Sequence, residues 1–169
     1  MMKRLVLSSV AALLMAVRAG AVPAPHISLS SIADLPVVER YPYDENANAD
    51  AAVAAAFARA RLSHKRVLLD LGGNWCGDCI VLSNIMQLPE LKPFVAAHFE
   101  TVSVDVGRVN RNLQIPSRFG VTLEGGVPAL LIVEPDGKTL IDAGRISALE
   151  NARHMTPQAL ANWLAQWAK

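Results

Sequence analysis

Residues 71–79 read Leu-Gly-Gly-Asn-Trp-Cys-Gly-Asp-Cys, and they contain both cysteines of the chain, Cys76 and Cys79. If a helix begins at Cys76, the second thiol lies one turn after the first. Free N–H groups and the positive end of the helix dipole stabilise a thiolate at a helix N-terminus. A thiol one turn away can then attack a mixed disulfide formed with the first. The spacing therefore indicates a cysteine pair that exchanges disulfides.

A close cysteine pair has two other possible uses, a structural staple and half of a zinc site. A disulfide that only staples so short a loop contributes roughly 2 kcal/mol in the chain-entropy relation, against about 3 kcal/mol for a fifteen-residue loop. Half of a zinc site needs two further ligands, and the histidines are not paired at ligand spacing. The chain has four of them: His26, His64, His98 and His154. We expect no metal, and no cofactor beyond a redox-active Cys76–Cys79 disulfide.

Composition restricts the class of protein. The chain has 169 residues, of which 52% are hydrophobic, which is enough for one domain with a real core and too apolar for disorder. Its 16 basic and 15 acidic residues give a formal net charge of +1. These charges are interspersed rather than gathered into a basic stripe, so we expect no nucleic-acid partner.

The N-terminus has the pattern of a secretory signal peptide over residues 1–21. Lys3 and Arg4 precede an apolar run over residues 5–17, and residues 19–21 form a small-x-small cleavage pattern. The run is shorter than the about 20 apolar residues that a membrane span requires, although an uncleaved anchor is the alternative. We expect cleavage after Ala21 and a periplasmic or secreted mature protein, because disulfide chemistry belongs to oxidising compartments.

Residues 22–46 are interrupted by prolines and have no periodicity, so they indicate an extended N-terminal leader that can lie over the domain. The rest of the chain alternates helical and strand patterns. The predicted order is a helix over 47–62, a strand over 66–71, helices over 76–87 and 91–98, a strand over 99–106, a helical turn within 111–120, a strand over 129–134, an Asp-Gly hairpin over 135–138 with a return strand over 139–143, and a closing helix.

The closing helix has clear start signals. Thr156 is a suitable cap, Pro157 suits the first helical position, and Trp163 and Trp167 belong to an apolar stripe that we assign to the core. The whole order predicts an α/β fold with a central mixed sheet and helices on both faces, because parallel strands need crossovers and the hairpin adds an antiparallel strand.

Three features of the sequence resemble features of the thioredoxin-like superfamily. Residues 75–79 resemble the Trp-Cys-Gly-x-Cys active site of thioredoxins. Asp70, near the end of the first strand, matches the spacing of the buried acid of that family, and Val127-Pro128 matches its cis-proline element. The resemblance covers roughly residues 47–168, and it is closest to the thiol:disulfide interchange proteins of the bacterial envelope. It implies a thioredoxin-like fold and a thioredoxin-like domain over residues 47–169.

The resemblance also implies catalytic roles. Cys76 would be the attacking thiolate and Cys79 the resolving thiol. Asp70, if buried, would have a raised pKa and would accept the proton of Cys79. The alternative for Asp70 is a strand-end acid that faces water. The lysine that thioredoxins keep near this acid has no counterpart in the second strand.

Trp75, Val127 and Pro128 are expected to bind substrate, with the Val127 backbone pairing with a substrate chain and Pro128 in the cis form. The alternatives are an ordinary exposed aromatic at Trp75 and a trans turn proline. Gly77 and Asp78 are expected to tune the redox couple. Thioredoxins have proline at the second of these positions and their oxidising relatives have histidine, so Asp78 should disfavour the neighbouring thiolate, or simply stabilise the helix N-terminus.

These features predict a thiol:disulfide oxidoreductase of the reductase or isomerase type that acts on protein thiols and disulfides. A soft-metal module that holds copper, or a redox-dependent partner-binding module on the same scaffold, is the alternative. We expect a monomer whose cysteine pair is recycled by a membrane or soluble redox partner.

Overall fold

The computed structural model describes residues 22–142, 149 and 151–169. The predicted signal peptide, residues 1–21, lies outside the described residues, and so does the last residue of the predicted return strand. Across the part of the chain that is described, no helix is both long and apolar enough to cross a membrane.

The described part of the chain forms a sheet of three strands, β1 (Arg66–Gly72), β2 (Phe99–Asp105) and β3 (Ala129–Val133), in the order β2-β1-β3. Strand β1 lies in the centre, parallel to β2 and antiparallel to β3, with Asp70 opposite Ser103 on one side and Leu130 on the other. Every residue of β1 after its first is buried, as expected for a strand covered on both faces. The predicted mixed sheet is confirmed.

In the described residues, five α-helices accompany the sheet: α1 (Ala49–Ser63), α2 (Gly77–Met86), α3 (Lys92–His98), α4 (Gln114–Ser117) and α5 (Pro157–Trp167). Short 3-10 helices lie at Ile32–Asp34 and Ala152–His154. Thr156 caps α5 as predicted, since its hydroxyl accepts the N–H of Ala159 at 3.2 Å. Trp163 is buried in the core and Trp167 packs against it, with ring centroids 6.0 Å apart.

The alternation of side chains along β1 divides the core into two halves. Val67, Leu69 and Leu71 pack with α1 and α4. Leu68 points to the other face, where it packs with side chains of α2, α3 and α5. The predicted helices on both faces are confirmed, and the period of two places Asp70 on the same face as Leu68, beneath α2.

The predicted return strand over 139–143 is shorter in the structure than in the prediction. Within the described residues, the pairing is limited to a single β-bridge between Val133 and Leu140. Beside this bridge, the Ile141 N–H donates a hydrogen bond to the Ile132 carbonyl at 2.9 Å. The physical reason lies in Asp142, whose Oδ1 accepts the Ile132 N–H at 2.9 Å. A side chain therefore satisfies the strand N–H that a continued backbone ladder would otherwise use.

The leader, residues 22–46, lies against α2 and α5. Ile27 is buried in the core, and its N–H donates to Oε1 of Gln158 in α5 at 2.8 Å. Further along, Asn84 of α2 binds the leader backbone, because its Oδ1 accepts the Glu39 N–H at 2.9 Å and its Nδ2 donates to the Glu39 carbonyl at 2.7 Å. The leader therefore runs along the helices towards the cysteine pair.

Candidate active site

The two cysteines form a disulfide at the beginning of α2, with their Cα atoms 5.2 Å apart. Cys76 is the N-cap residue, and its Sγ accepts the backbone N–H of Cys79 at 3.2 Å. Cys76 is 6% exposed, whereas Cys79 is fully buried. An attacking thiol must meet the substrate and a resolving thiol must be sheltered, so this order of exposure suits an attacking Cys76 and a resolving Cys79.

Asp70 lies on the buried side of the cysteine pair. Its carboxylate is inaccessible to solvent, so the alternative of a strand-end acid facing water is wrong. Oδ1 accepts the Tyr43 hydroxyl at 2.8 Å, and Oδ2 accepts the Ser103 hydroxyl at 3.4 Å. No basic side chain of the described residues forms an ion pair with it.

Burial raises the pKa of Asp70 from 3.8 to about 6, while the hydrogen bonds from Tyr43 and Ser103 lower it. The carboxylate is therefore charged at neutral pH and still a much stronger base than an exposed aspartate. A general base works best when its pKa lies near the working pH. Asp70 can thus accept a proton on the side of the pair where Cys79 is buried.

The Val127–Pro128 peptide bond is cis, as the sequence predicted. The Val127 carbonyl oxygen lies 3.5 Å from Cys76 Sγ, and the Val127 side chain packs against both cysteines and Tyr43. Val127, two residues before β3, therefore brings a backbone carbonyl to the more exposed sulfur. Backbone in this position can pair with an extended substrate chain.

Trp75 is 48% exposed beside Cys76 and is held in place from two sides. Its indole Nε1 donates to the Gly107 carbonyl at 2.6 Å, and the Arg108 guanidinium lies over the ring at 4.9 Å from its centroid. Both contacts fix an aromatic face at the edge of the site, and Arg108 adds a cation–π contact. A fixed, half-exposed ring suits substrate contact better than a freely rotating side chain.

Asp78 makes an ion pair that crosses to the far end of the chain. Its carboxylate accepts from Nε and Nη2 of Arg153 at 3.0 Å each, and from the Arg153 backbone N–H at 2.9 Å. The same guanidinium reaches over Gly77, where an added Cβ would lie 3.7 Å from Nη1. The negative charge beside Cys76 is therefore matched by a positive one, which weakens its expected effect on the thiolate.

Three residues of the site were missed by the sequence interpretation: Tyr43, Ser103 and Arg153. Tyr43 comes from a proline-interrupted segment and Arg153 lies 75 positions from its partner Asp78, so neither carries a local signal. Ser103 had a local signal. If the two predicted parallel strands are paired from their first residues, Arg66 and Phe99, Ser103 lies opposite Asp70.

A zinc site would need ligands beyond the two cysteines. Among the described residues, no cluster of three or more histidine, cysteine, aspartate or glutamate side chains occurs. The pair is joined as a disulfide. The site consists of this disulfide, a buried base, a cis-proline turn and an aromatic edge.

Comparison with known proteins agrees with this geometry. A thioredoxin-like family model matches residues 48–135. A thioredoxin from Alicyclobacillus acidocaldarius subsp. acidocaldarius is 33% identical over 78 residues, which cover 46% of this chain and 67% of that protein. The crystal structure of a disulphide isomerase from Xylella fastidiosa Temecula1 matches with a TM-score of 0.70 and 37% identity, covering 74% of this chain and 95% of that one. The chain belongs to the thioredoxin-like family and has the redox-active cysteine pair of a thiol:disulfide oxidoreductase.

Proposed function

We propose that the protein reduces and isomerises disulfide bonds of other proteins. The observation that carries the proposal is the position of Cys76, whose sulfur lies between the N-terminus of α2 and the Val127 carbonyl at 3.5 Å. An extended substrate chain that pairs with this backbone would bring its own disulfide to Cys76.

In the reduced enzyme, the Cys76 thiolate attacks one sulfur of a substrate disulfide. A mixed disulfide forms, and the other substrate sulfur leaves as a thiolate. Cys79 then attacks Cys76, giving its proton to Asp70, and the Cys76–Cys79 disulfide forms while the second substrate thiolate leaves. Two electrons pass from the enzyme dithiol to the substrate.

Isomerisation uses the same mixed disulfide but ends differently. If another thiol of the substrate attacks before Cys79 does, the substrate leaves with a rearranged disulfide and the enzyme stays reduced. The balance between the two outcomes depends on how fast Cys79 resolves the intermediate. The similarity to a protein described as a disulphide isomerase, at 37% identity, supports including this second outcome.

The signal-peptide pattern of residues 1–21 supports a location outside the cytoplasm, in the periplasm or beyond the cell. Newly secreted proteins form their disulfides in that compartment, and wrong pairings arise there. An isomerase or reductase of this compartment therefore has protein substrates available to it. Fractionation of cells producing the full chain tests the location, and a cytosolic, uncleaved product would contradict it.

The test of the function compares the protein with Cys76→Ser and Cys79→Ser in two assays. One follows reduction of insulin disulfides, and the other follows recovery of activity by ribonuclease with scrambled disulfides. We expect the unaltered protein to work in both assays and Cys76→Ser to fail in both. Cys79→Ser is the matched control, because it retains the attacking thiol and should accumulate mixed disulfides. Insulin reduction by Cys76→Ser, or no activity of the unaltered protein in either assay, would overturn the proposal.

A further inference from the structure

Tyr43 lies outside the segment that matches the thioredoxin-like family, yet it is part of the site. The match begins at residue 48, while Tyr43 belongs to the leader before α1. Tyr43 is only 1% exposed and packs against Cys76, Cys79 and Val127. A tyrosine that buries a hydroxyl must provide it with a partner, and here the partner is Asp70, at 2.8 Å.

The backbone of Tyr43 is bound to the loop that precedes the cysteines. Its N–H donates to Asn74 Oδ1 at 3.1 Å, and its carbonyl accepts from Asn74 Nδ2 at 2.8 Å. Asn74 also donates to the carboxylate of Glu45 at 3.0 Å. One amide side chain, two residues before Cys76, therefore fixes the place where the leader enters the site.

The hydroxyl of Tyr43 and the sulfur of Cys79 approach the same point. A Cβ added to Gly72 would overlap the Tyr43 hydroxyl and would lie 3.0 Å from Cys79 Sγ. Glycine at this position leaves room for both groups next to β1. The hydroxyl that binds Asp70 is thus a near neighbour of the thiol whose proton Asp70 would accept.

We propose that Tyr43 is a positioning residue that orients the Asp70 carboxylate and keeps it charged, so that it accepts the Cys79 proton when the mixed disulfide is resolved. The inference rests on the proposed function and adds to it a residue from outside the family segment. In this step the Cys79 S–H bond breaks and its proton passes to Asp70. A bond forms between the sulfurs of Cys79 and Cys76, and the bond from Cys76 to the substrate breaks. The electron pair of that bond leaves with the substrate thiolate, which takes up a proton from solvent, and Asp70 returns its own to solvent.

The surroundings of Asp70 leave this task to hydroxyl groups. Among the described residues, Tyr43 from the leader and Ser103 from β2 donate hydrogen bonds to it, and Cys79 from α2 lies near the Tyr43 hydroxyl. Asp105, whose negative charge acts on the Tyr43 hydroxyl, is buried and paired with Arg111 at 2.9 Å. A carboxylate without a neighbouring cation depends on hydrogen bonds to remain charged in a buried site.

Tyr43 is suited to donate throughout the working range of pH. Burial, followed by the negative charge of Asp70, raises the pKa of the Tyr43 hydroxyl well above its ordinary value of 10.0. The hydroxyl therefore keeps its proton and remains a donor to the carboxylate. Its removal should leave Asp70 harder to ionise, because only the longer hydrogen bond from Ser103 then opposes the effect of burial.

The experiment compares Tyr43→Phe with Tyr41→Phe. Tyr41 is the only other tyrosine of the chain and is 73% exposed, so it is a matched control. Reduced protein is mixed with a disulfide-containing peptide and quenched with acid at intervals, between pH 5 and pH 9, to follow the mixed disulfide. We expect Tyr43→Phe to form the mixed disulfide normally and to resolve it about tenfold more slowly at pH 5, but only about twofold more slowly at neutral pH, where at least half of the Asp70 carboxyl is still ionised. The pH midpoint of resolution should rise by about one unit, which corresponds to that tenfold change.

Tyr41→Phe should match the unaltered protein, and Tyr43→Phe should have no further effect when Asp70 is already asparagine. A second measurement does not depend on turnover: the side-chain carbon of Asp70 is titrated by NMR in the oxidised protein, and its midpoint should rise in Tyr43→Phe. Unchanged midpoints in both measurements would overturn the inference while leaving the proposed function intact. Failure of the unaltered protein to form any mixed disulfide would instead overturn the proposed function.

Discussion

Asp78 and Asp70 are two carboxylates on opposite sides of one cysteine pair, and their surroundings differ in kind. Asp78, on the outer side, is paired with Arg153, whose side chain is 60% exposed. Asp70, on the inner side, has no accessible surface and is bound by two hydroxyl groups. The charge of the outer carboxylate is balanced by a guanidinium at the surface, whereas burial makes ionisation of the inner carboxyl group unfavourable.

The difference shows what each environment is suited for. An exposed ion pair contributes little free energy and changes the nearby potential only modestly. A buried carboxylate without a cation becomes a stronger base, because desolvation disfavours its charge. Had a basic side chain such as Arg153 been placed beside Asp70, its pKa would fall and the group would accept protons poorly. The inner carboxylate, Asp70, is therefore suited to proton transfer, and the outer one, Asp78, to a small adjustment of the redox couple.

The largest expected effect concerns the inner carboxylate and pH. The pKa of Asp70 is about 6 in the folded protein against 3.8 ordinarily, so between these values the folded state binds a proton that the unfolded state has lost. The free energy of unfolding therefore falls as pH rises from about 3.8 to about 6, by about 3 kcal/mol. Asp70→Asn should remove this fall, so that the free energy of unfolding at pH 7 minus that at pH 3 becomes more positive by about that amount, as measured by guanidinium denaturation of the oxidised protein.

Asp142 adds a dependence of the same sign, because burial also raises its pKa to about 6. The lowered pKa values of Glu100 and Glu134 act in the opposite sense, so the contribution of Asp70 is the difference between the variant and the unaltered protein. Substitution of the exposed Asp34 by asparagine is the control. An equal pH dependence in Asp70→Asn and the unaltered protein would contradict the comparison between the inner and outer sides.

A smaller effect should separate two glycines that lie on the two sides of the pair. A Cβ at Gly72 would overlap the Tyr43 hydroxyl and crowd Cys79, whereas at Gly77 it would lie in ordinary contact, 3.7 Å from Arg153. Gly72→Ala should lower the free energy of unfolding by about 1 to 3 kcal/mol through overpacking. Gly77→Ala should leave it unchanged or raise it by up to about 1 kcal/mol, since alanine favours the helix. Chemical denaturation of both oxidised variants measures the free energy of unfolding. Equal stabilities would show that a methyl group fits at position 72 without displacing Tyr43 or Cys79.

The smallest effect is expected on the outer side, in the reduction potential. Asp78→Asn leaves the Arg153 charge near Cys76, which favours the thiolate and hence the reduced form, so the potential should rise by about 10 to 20 mV. Arg153→Gln leaves the opposite charge and should lower it by a similar amount. Equilibration with glutathione buffers gives both values. The double variant should return near the unaltered protein, and a shift of both single variants in the same direction would be inconsistent with a compensating pair.

Much of the fold could be predicted because its signals are local. The strand predicted over 66–71 is Arg66–Gly72, and the one over 129–134 is Ala129–Val133. Continuous apolar runs and capping residues depend on neighbours a few positions away, so the sequence alone reveals them. The return strand after Asp136 was overestimated, because the prediction counted backbone pairing and could not anticipate that the Asp142 side chain would take the Ile132 N–H.

The residues of the candidate site also divide into those with a local sequence signal and those without one. Cys76, Cys79 and the Val127–Pro128 element could be named from spacing and resemblance, since each is identified by adjacent residues. Tyr43 could not, because its role depends on a contact with Asp70 across 27 positions of the chain. No periodicity of the leader specifies which of its side chains will meet the sheet.

The sequence by itself determined the cysteine pair at a helix start, the order of strands and helices, and a carboxylate six positions before Cys76. These follow from local spacing, which fixes what the backbone does over one or two turns. Only the tertiary structure decided that Asp70 is buried with hydroxyl donors while Asp78 is paired with Arg153. The proton affinity of a carboxyl group depends on water and charges within a few ångströms, and distant segments of the chain bring those neighbours into place.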